Sequence, residues 1–383
     1  MTTRADLVIV GAGLAGSAAA WAASARGLDV VVLEAFGPGH RNGSSHGSAR
    51  IFRRAYPDPL YVRLTGSARE LWRQLEDQSG EELLTLTGGL DFGATRNPAR
   101  LHEVLTSCGV AAELLAAEDA AQRWPYFDFA GVGQVMFHAD SGVLDPQSAM
   151  AAMLRLAAAR GAEVRFDTPV TRIVATPSGD GAVAHTDSGA FTAPVIAVAA
   201  GAWTAPLLAG SVGLPPLTVT QQQVFHFAPL AAPGSTGPAE TWPIFVYKDG
   251  TDDCYGLPGG RDGQVPGAMK IGEHAGFRTT TADERDFVVD PAARARIADF
   301  IGRRIPGLDP APVNEVTCLY TWTANEDFVL DWSGPFVVAS PCSGHGAKFA
   351  PLLGEIIADL AAGKPARDQR FTLAAHAATR PWH

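Results

Sequence analysis

The sequence predicts an α/β protein with two domains, one built on a parallel sheet and the other rich in strands. Its 383 residues are enough to bury two apolar cores. A strand–turn–helix–strand pattern opens the chain, and a second strand–turn–helix pattern lies near its other end. Hydrophobic residues make up 46% of the composition and charged residues 18%, with 41 Gly and 27 Pro, which is typical of a compact, turn-rich protein.

Charge and cysteine content limit the classes of partner. Thirty Lys and Arg stand against 40 Asp and Glu, and the formal charge of −10 disfavours binding to nucleic acid or to an anionic membrane. We expect no metal site, no disulfide framework and a cytoplasmic location, because the cysteines lie far apart without a Cys-x-x-Cys pair. The sequence also gives no sign of an obligate protein partner. The four cysteines are Cys108, Cys254, Cys318 and Cys342.

The N-terminal segment carries a dinucleotide-binding pattern. ADLVIV predicts a strand, GAGLAG a tight turn, the alanine-rich stretch after it a helix, and LDVVVLE a second strand. Gly11, Gly13 and Gly16 permit the turn and the close approach of a pyrophosphate, and Glu34 is placed to bind a ribose hydroxyl. The alternative is a packing turn rich in alanine and glycine, and the motif alone does not choose between NAD and FAD.

The rest of the chain alternates between helix and strand signals. A helix is predicted from about Pro146 to Arg160 and is followed by paired strands. A second strand-rich segment extends from Val219 to about Val316. Near the end, PFVVAS predicts a buried strand, CSGHG a sharp turn, and AKFAPLLGEIIADLAAG an amphipathic helix closed by Gly363. The start of that helix is a second place where backbone N–H groups can face an anion.

The segment after Glu34 points to a known family. The loop AFGPGHRNGSSHGSARIFRRAY is similar to the flavin loop of the monomeric sarcosine oxidase and N-methyltryptophan oxidase family, within the D-amino acid oxidase superfamily of FAD-dependent amine oxidoreductases. The similarity continues in collinear order, and so covers nearly the whole chain, through FHADSGVLDP, VTRIVA, AVAAGAWT, CYGLPGG, AMKIGEH, VTCLYTWTANEDFVLD and PCSGHGAKF.

The resemblance implies a domain division. A discontinuous, Rossmann-like FAD-binding domain is expected at residues 1–85, 142–219 and 317–383. A second, mixed-sheet domain at residues 86–141 and 220–316 is expected to hold the substrate.

Two residues bear on flavin attachment. Cys318, in TCLYT, stands where the family joins a cysteine sulfur covalently to the flavin ring, whereas a lone cysteine in a strand is otherwise a small core residue. Arg50 matches a basic residue that the family sets beside the flavin and that bears on attachment and redox tuning. The other positions expected to contact the cofactor are Ser45, His46, Val170, Gly344, His345 and Lys348.

Three further cations match functional positions. Arg53 and Lys348 match the pair that holds the substrate carboxylate, since a guanidinium fork grips a carboxylate and a lysine adds a point charge. Lys270, in AMKIGEH, matches the lysine that activates oxygen over the flavin. On the sequence alone, these three residues could equally be surface cations. The catalytic and substrate cavity is completed by matches to Arg50, His274, His345, Tyr255 and Tyr320.

The sequence departs from the family pattern where specificity is expected to reside. A longer loop precedes Lys270 and is expected to reshape the cavity mouth. The other departures are Trp322, Gln221 to Gln223, Phe245 and Cys342.

The resemblance implies an FAD-dependent oxidase of a secondary-amine amino acid of the sarcosine type. The imine product hydrolyses to an amine and an aldehyde, and oxygen is reduced to hydrogen peroxide. An FAD oxidase or dehydrogenase of another amine, such as N-methyltryptophan, a cyclic imino acid or a biosynthetic intermediate, is the alternative within the fold. A module that uses its nucleotide structurally or as a redox sensor is the alternative from another class.

Overall fold

A six-stranded sheet forms the centre of the computed structural model, which describes residues 2–230, 242–274 and 278–378. Its inner strands are short apolar runs buried on both faces, as a parallel sheet requires, and the last edge strand is antiparallel. In spatial order the strands are Glu163–Arg165, Val30–Leu33, Leu7–Val10, Val195–Val198, Phe336–Ser340 and Val329–Ser333.

A second, larger sheet mixes antiparallel and parallel pairs, which confirms the predicted mixed sheet. In spatial order its strands are Arg278–Thr279, Thr218–Pro229, Met269–Glu273, Asp253–Pro258, Ile244–Lys248, Gly89–Phe92, Gln134–His138 and Glu113–Ala116. A further long strand, Leu308–Trp322, pairs antiparallel with Thr218–Pro229.

Two small sheets complete the described strands. The first contains Thr2–Arg4, Gly189–Ala193, Ala182–Thr186 and Val170–Ala175. The second contains Arg50–Phe52, Gly142–Leu144 and Leu84–Leu86.

Several helices begin with the same two-residue signal, an Asp or Asn followed by Pro. The side chain of the first residue accepts a backbone N–H of the first turn, and Pro fits the first helical position because its missing N–H would lack a partner there. The α-helices are Leu14–Ala25, Pro59–Ser79, Pro98–Ser107, Ala117–Arg123, Pro146–Ala159, Thr204–Leu208, Pro291–Arg304, Ala350–Ala361 and Leu373–Ala377. Within the described ranges, no helix is both long enough and apolar enough to cross a membrane.

The first and eighth of these helices pack against each other on the six-stranded sheet. Leu14–Ala25 also contacts Pro146–Ala159, so three helices form one layer. The contact with Ala350–Ala361 is close because a Cβ on Gly354 would lie 2.3 Å from the backbone oxygen of Ala18. Residues from both ends of the chain therefore build the same layer.

The larger sheet has its own core, which is rich in aromatic side chains. Pro291–Arg304 packs against the sheet through Phe300 and Ile301, both with no exposed area. Other members of this cluster are Phe92, Phe127, Phe129, Phe225, Phe227, Phe245 and Tyr247.

The domain boundaries stay a prediction. The boundary expected at residue 219 falls inside Thr218–Pro229, and the one expected at residue 317 falls inside Leu308–Trp322. These two strands pair with each other along most of their length, so both expected boundaries fall within one continuous pair of strands.

Candidate active site

The glycine turn opens onto the larger of two adjacent cavities, which has a volume of about 990 Å³. Gly11 has a φ of +99°, in the left-handed region that favours glycine. A Cβ on Gly16 would lie 1.8 Å from the backbone oxygen of Gly11, so Gly16 allows the helix to start close to the preceding strand. The N-terminus of Leu14–Ala25 therefore faces a space that can take a phosphate group.

Glu34 lies at the end of the second parallel strand and lines the same cavity. Its Oε2 accepts the Ala12 N–H at 2.7 Å, and its Oε1 accepts the Phe36 N–H at 3.1 Å. Burial alone would raise the pKa of Glu34, but hydrogen bonds from His40 and Ala12 hold the pKa below its usual value. A carboxylate fixed in this way retains lone pairs for a sugar hydroxyl.

The loop after Glu34 is held by Arg50. The Arg50 guanidinium donates to the backbone oxygens of Ala49, Ser44 and His46 at 2.9, 3.0 and 2.7 Å. His46 is 8% exposed, and its Nε2 has no hydrogen-bond partner among the described residues. Burial, then the charge of Arg50, lowers the pKa of His46 to about 2, so the imidazole is neutral.

The larger cavity fits FAD. It joins the glycine turn, Glu34 and the arginine-held loop, and the unpartnered Nε2 of His46 and Oγ of Ser340 lie in its wall. Buried polar atoms of this kind normally have a partner. Gly16 supports the turn without lining the cavity, whereas the lining residues expected from the sequence are Gly11, Gly13, Glu34, Ser45, His46, Arg50, Val170, Tyr320 and Gly344.

The smaller cavity, of about 420 Å³, adjoins the larger one, since His46, Arg50, Tyr320, Gly344 and Ala347 line both. The structure therefore brings the remaining expected residues together next to the cofactor space. These are Arg53, Tyr255, Lys270, His274, Cys318, His345 and Lys348.

One end of the smaller cavity carries a buried lysine and a half-buried arginine. Lys348 is 4% exposed, and its Nζ donates to Tyr56 Oη at 3.0 Å and to the His345 backbone oxygen at 2.7 Å. The Arg53 guanidinium lies over the Tyr56 ring, 4.4 Å from its centroid, and donates to the Ala55 backbone oxygen. Burial, together with the charge of Arg53, lowers the pKa of Lys348 well below its usual value.

His345 is held as a neutral ring by its two contacts. Tyr56 Oη lies 3.1 Å from His345 Nδ1, and His345 Nε2 lies 3.0 Å from the backbone oxygen of Glu326. A backbone oxygen only accepts, so Nε2 carries the proton and Nδ1 accepts from the tyrosine hydroxyl. Burial, then the charge of Lys348, lowers the pKa of His345 to about 3.

One face of the larger sheet forms the opposite wall. Residues directly opposite each other in neighbouring strands project to the same side, and residues two apart in one strand do so too. Lys270 lies opposite His226 and Leu257. Cys318 and Tyr320 are two residues apart in their strand, and both project to the cavity side. The strand pairing therefore brings distant parts of the sequence to one wall.

Lys270 and His274 both have lowered basicity. Lys270 is 6% exposed, and its Nζ donates to the Ala49 backbone oxygen at 3.1 Å. Burial, then the charge of Arg50, lowers the pKa of Lys270 to about 7. Burial, then the charge of Lys248, lowers the pKa of His274 to about 4.

Two tyrosines and a cysteine line the same cavity as Lys270 and His274. Burial raises the pKa of Tyr255 to about 12 and raises that of Tyr320 strongly, so both hydroxyls stay protonated. Cys318 is 7% exposed and lines the cavity. In the described part of the chain all four cysteines are unpaired.

The departures from the family pattern lie mostly behind the wall. Phe245 is fully buried in the aromatic core and does not line the cavity. Gln221 bonds to Asp286 and to the Val288 backbone oxygen, so it too points away. The Trp322 indole donates to Thr220 Oγ1 at 2.7 Å and meets the His274 ring edge-on, which places it behind His274. Cys342 lines the larger cavity instead.

Several lining residues were not expected from the sequence, and three of them contact or face the expected ones. Tyr56 joins Lys348 to His345, His226 stands opposite Lys270, and Glu326 lies at the mouth. A lone aromatic residue or histidine usually belongs to the core, so the sequence did not single out Tyr56 or His226. The described residues contain no cluster of three or more His, Cys, Asp or Glu side chains suited to a metal ion.

Comparisons with known proteins agree with this geometry. A family model described as FAD dependent oxidoreductase matches residues 6–360. The chain is 36% identical over 369 residues to monomeric sarcosine oxidase of Streptomyces avermitilis, covering 94% of both proteins. It is 32% identical over 371 residues to N-methyl-L-tryptophan oxidase of Yersinia pestis, covering 94% of this chain and 95% of the relative.

Solved structures share the fold. NikD, described as an unusual amino acid oxidase essential for nikkomycin biosynthesis, superposes with a TM-score of 0.84 at 27% identity, covering 97% of both chains. L-proline dehydrogenase from P. horikoshii reaches a TM-score of 0.84 at 20% identity, covering 97% of this chain and 98% of that one.

Proposed function

Because the chain belongs to the FAD-dependent oxidoreductase family, alongside monomeric sarcosine oxidase and N-methyl-L-tryptophan oxidase, we propose that it oxidises the secondary amine of a small amino acid of the sarcosine type. The products are an imine, which hydrolyses to an amine and an aldehyde, and hydrogen peroxide from oxygen. The four unpaired cysteines support a reducing compartment such as the cytoplasm.

A buried lysine and a half-buried arginine, neither with a carboxylate partner among the described residues, carry this proposal. Arg53 and Lys348 donate only to carbonyl and hydroxyl oxygens among the described residues, and both lie at one end of a cavity next to the cofactor space. A buried charge is costly unless an opposite charge meets it. The carboxylate of an amino acid supplies that charge and fixes the amine at a set distance from the clamp.

The chain's own groups then orient the reacting amine. Arg53 and Lys348 hold the carboxylate, Tyr56 fixes the ammonium group of Lys348, and the tyrosine hydroxyls stay neutral beside the substrate. FAD, when bound, accepts a hydride equivalent from the carbon next to nitrogen. The neutral ring of His345 adds no charge that would repel a cationic product.

Residues at the larger cavity would contact the cofactor. Gly11, Gly13 and Gly16 would hold the pyrophosphate and Glu34 a ribose, with Arg50 and His46 at the ring. We further propose a thioether between Cys318 and the flavin. The family motif TCLYT supports it, as does the place of Cys318 in the smaller cavity, two residues from Tyr320, which lines both cavities. Lys270 would stabilise negative charge on oxygen at the same wall.

A different amine is the second candidate. The mouth of the smaller cavity carries Lys248, Asp253 and Glu326, so a substrate longer than sarcosine would meet polar groups there. This favours an amine with a polar extension, such as a biosynthetic intermediate.

A flavin titration without oxygen tests the proposed activity and the clamp. Sarcosine, N-methyl-L-tryptophan, proline and the decarboxylated analogue dimethylamine are added in turn to the holoenzyme. A productive substrate bleaches the flavin absorbance and, after air is admitted, gives one peroxide for each amine oxidised. Bleaching by none of the carboxylates would contradict the proposed activity, and bleaching by dimethylamine at equal concentration would contradict the clamp.

A further inference from the structure

His226 is a buried histidine to which the mechanism above gives no task. It is 1% exposed, lines the smaller cavity and stands directly opposite Lys270 in the neighbouring strand. Neither of its ring nitrogens makes a hydrogen bond of ordinary geometry among the described residues, although the Asn314 backbone lies near enough to oppose the lowering of the pKa of the ring. Buried polar groups in proteins are normally satisfied by protein, ligand or ordered water. The ring therefore marks a place for a small polar molecule beside Lys270.

The same cavity also carries a carboxylate that is partly open to solvent. Asp262, which is half-buried, lines the same cavity from the turn Gly260–Gly263. Its Oδ2 accepts the Ser48 N–H at 2.6 Å, and its own N–H donates to Ser48 Oγ at 3.0 Å. Asn314, the strand neighbour of His226, donates to the Asp262 backbone oxygen at 2.8 Å. The carboxylate thus lies between solvent and the buried pair.

The oxygen reaction needs a proton at this wall, and this step rests on the proposed function. Reduced FAD in its anionic form, FADH⁻, carries two electrons and one proton. The balance is FADH⁻ + O₂ + H⁺ → FAD + H₂O₂, so one further proton must arrive in each turnover. If Lys270 donates that proton, it must regain one from solvent before the next cycle.

We propose that His226 is a positioning residue that, through a bound water, returns a proton from the Asp262 side to Lys270. A neutral imidazole suits this task because one nitrogen accepts a proton while the other releases one. The titratable and charged groups that face the pair from the surrounding elements are Arg50, His46, Asp262 and Cys318.

The charges around the ring support a neutral relay. Burial, then the charge of Lys270, lowers the pKa of His226 to about 4, so the ring stays neutral at physiological pH. The pKa of Lys270, lowered by burial to about 7, makes proton loss and gain by the lysine easy in the same range.

Reoxidation of the chemically reduced holoenzyme tests the proposal without any amine substrate. Flavin is reduced with dithionite in the parent and in His226→Phe and His226→Gln, and each is mixed with oxygen in a stopped-flow instrument at a pH above the pKa of Lys270, where most of the lysine has lost its proton and must regain one during the reaction. Loss of a proton-transfer group typically slows a step by about a hundredfold. Both variants should slow reoxidation to about this extent, with a larger solvent deuterium isotope effect, and added imidazole should restore part of the rate in His226→Phe.

A spectroscopic pKa gives a second readout that does not depend on turnover. Titration of Lys270 shifts the absorbance of the neighbouring oxidised flavin. The pKa from this shift should fall in His226→Phe, which offers the lysine no polar partner, and stay near the parental value in His226→Gln, which does. His138→Gln is the matched control, because His138 is equally buried in the same sheet but bonds to Ser141 and does not line the cavity.

Two results would overturn the proposal. If both variants reoxidise flavin at the parental rate, His226 has no part in the oxygen reaction. If only His226→Gln reoxidises at the parental rate, His226 is a hydrogen-bond partner that moves no proton. If the parent itself reacts with oxygen no faster than free reduced flavin, the oxidase assignment fails, whereas the spectroscopic pKa shift still reports the contact between His226 and Lys270.

Discussion

At the scale of single residues, the cations of the site differ in what their charge must do. On the proposed function, Lys270 faces a reaction that creates negative charge, since the first electron given to oxygen makes superoxide. A cation about 4 Å away at an effective dielectric near 20 stabilises that charge by roughly 4 kcal/mol. On the same proposal, Lys348 and Arg53 instead face an anion that is already present in the substrate. Substitutions at these two places should therefore affect different half-reactions.

Lys270→Met should slow reoxidation of reduced flavin by roughly a hundredfold or more. Reduction by substrate should change far less, because no new negative charge forms near Lys270 in that step. In the parent, reoxidation should slow as pH rises through the pKa of Lys270, about 7, since the lysine loses its charge. The variant should lack this pH dependence. Stopped-flow absorbance times the two half-reactions, and equal loss in both would assign Lys270 to substrate binding.

Binding of a carboxylate should take up a proton at Lys348. Burial and Arg53 lower the pKa of Lys348 in the free site, and a bound anion raises it. Affinity for methoxyacetate, in which an ether oxygen replaces the amine, should thus fall as pH rises between the two pKa values. Calorimetry in buffers of different ionisation enthalpy measures the uptake. Lys348→Met should abolish the uptake, and Arg53→Gln should weaken binding by about 2–5 kcal/mol.

At the scale of elements, a buried arginine ties the cofactor loop to the strand that carries Cys318. Arg285 is 6% exposed and donates to the backbone oxygens of Arg41 and Asn42 at 2.8 and 3.2 Å. It also donates to Thr317, at Oγ1 and at the backbone oxygen. The loop and the strand are far apart in sequence, so this side chain fixes their relative position.

Arg285→Met should lower the free energy of unfolding by roughly 1–3 kcal/mol for each carbonyl left unsatisfied. Arg285→Lys should lose less, but it should not reach parental stability, because an ammonium lacks the guanidinium fork. Thermal unfolding and the rate of flavin release measure the effect. Arg278→Met is the control: Arg278 pairs with Asp286 at the surface, and exposed ion pairs contribute little. Equal losses in the two methionine variants would contradict the tether.

Local patterns predicted the elements better than they predicted the site. The glycine turn and the helix Pro146–Ala159 follow from turn and helix signals within a few residues. The approach of Arg53 to Lys348 depends on pairing across the chain, which only the family resemblance suggested. His226 was missed for the same reason, although it shares the two-residue alternation of a strand that lines the cavity.

At the scale of the molecule, the cofactor space lies between the two main sheets and touches both. Anything that binds the folded state alone raises its stability, by about 2.7 kcal/mol at one hundred times Kd. For a bound cofactor that is also covalently attached, added free cofactor should change nothing. The thioether proposed at Cys318 can therefore be tested by a concentration dependence.

The melting temperature of the parent holoenzyme should not respond to added FAD, whereas that of Cys318→Ala should rise with FAD concentration. Acid precipitation should leave yellow colour in the parental pellet and release it to the supernatant from Cys318→Ala. Cys254→Ala, at a buried cysteine of the aromatic core outside both cavities, serves as the control. Free FAD in the parental supernatant would exclude a thioether.

The close contact of Gly354 with Ala18 has a consequence for how the protein is made. The glycine turn and its helix are synthesised long before the strand Phe336–Ser340 and the helix Ala350–Ala361 that cover them. Until those elements are made, the alanine-rich helix has no such cover, and the cradle for the pyrophosphate is incomplete. We therefore expect cofactor capture to wait for synthesis of the helix Ala350–Ala361, and truncation after residue 335 should yield a product that retains no flavin.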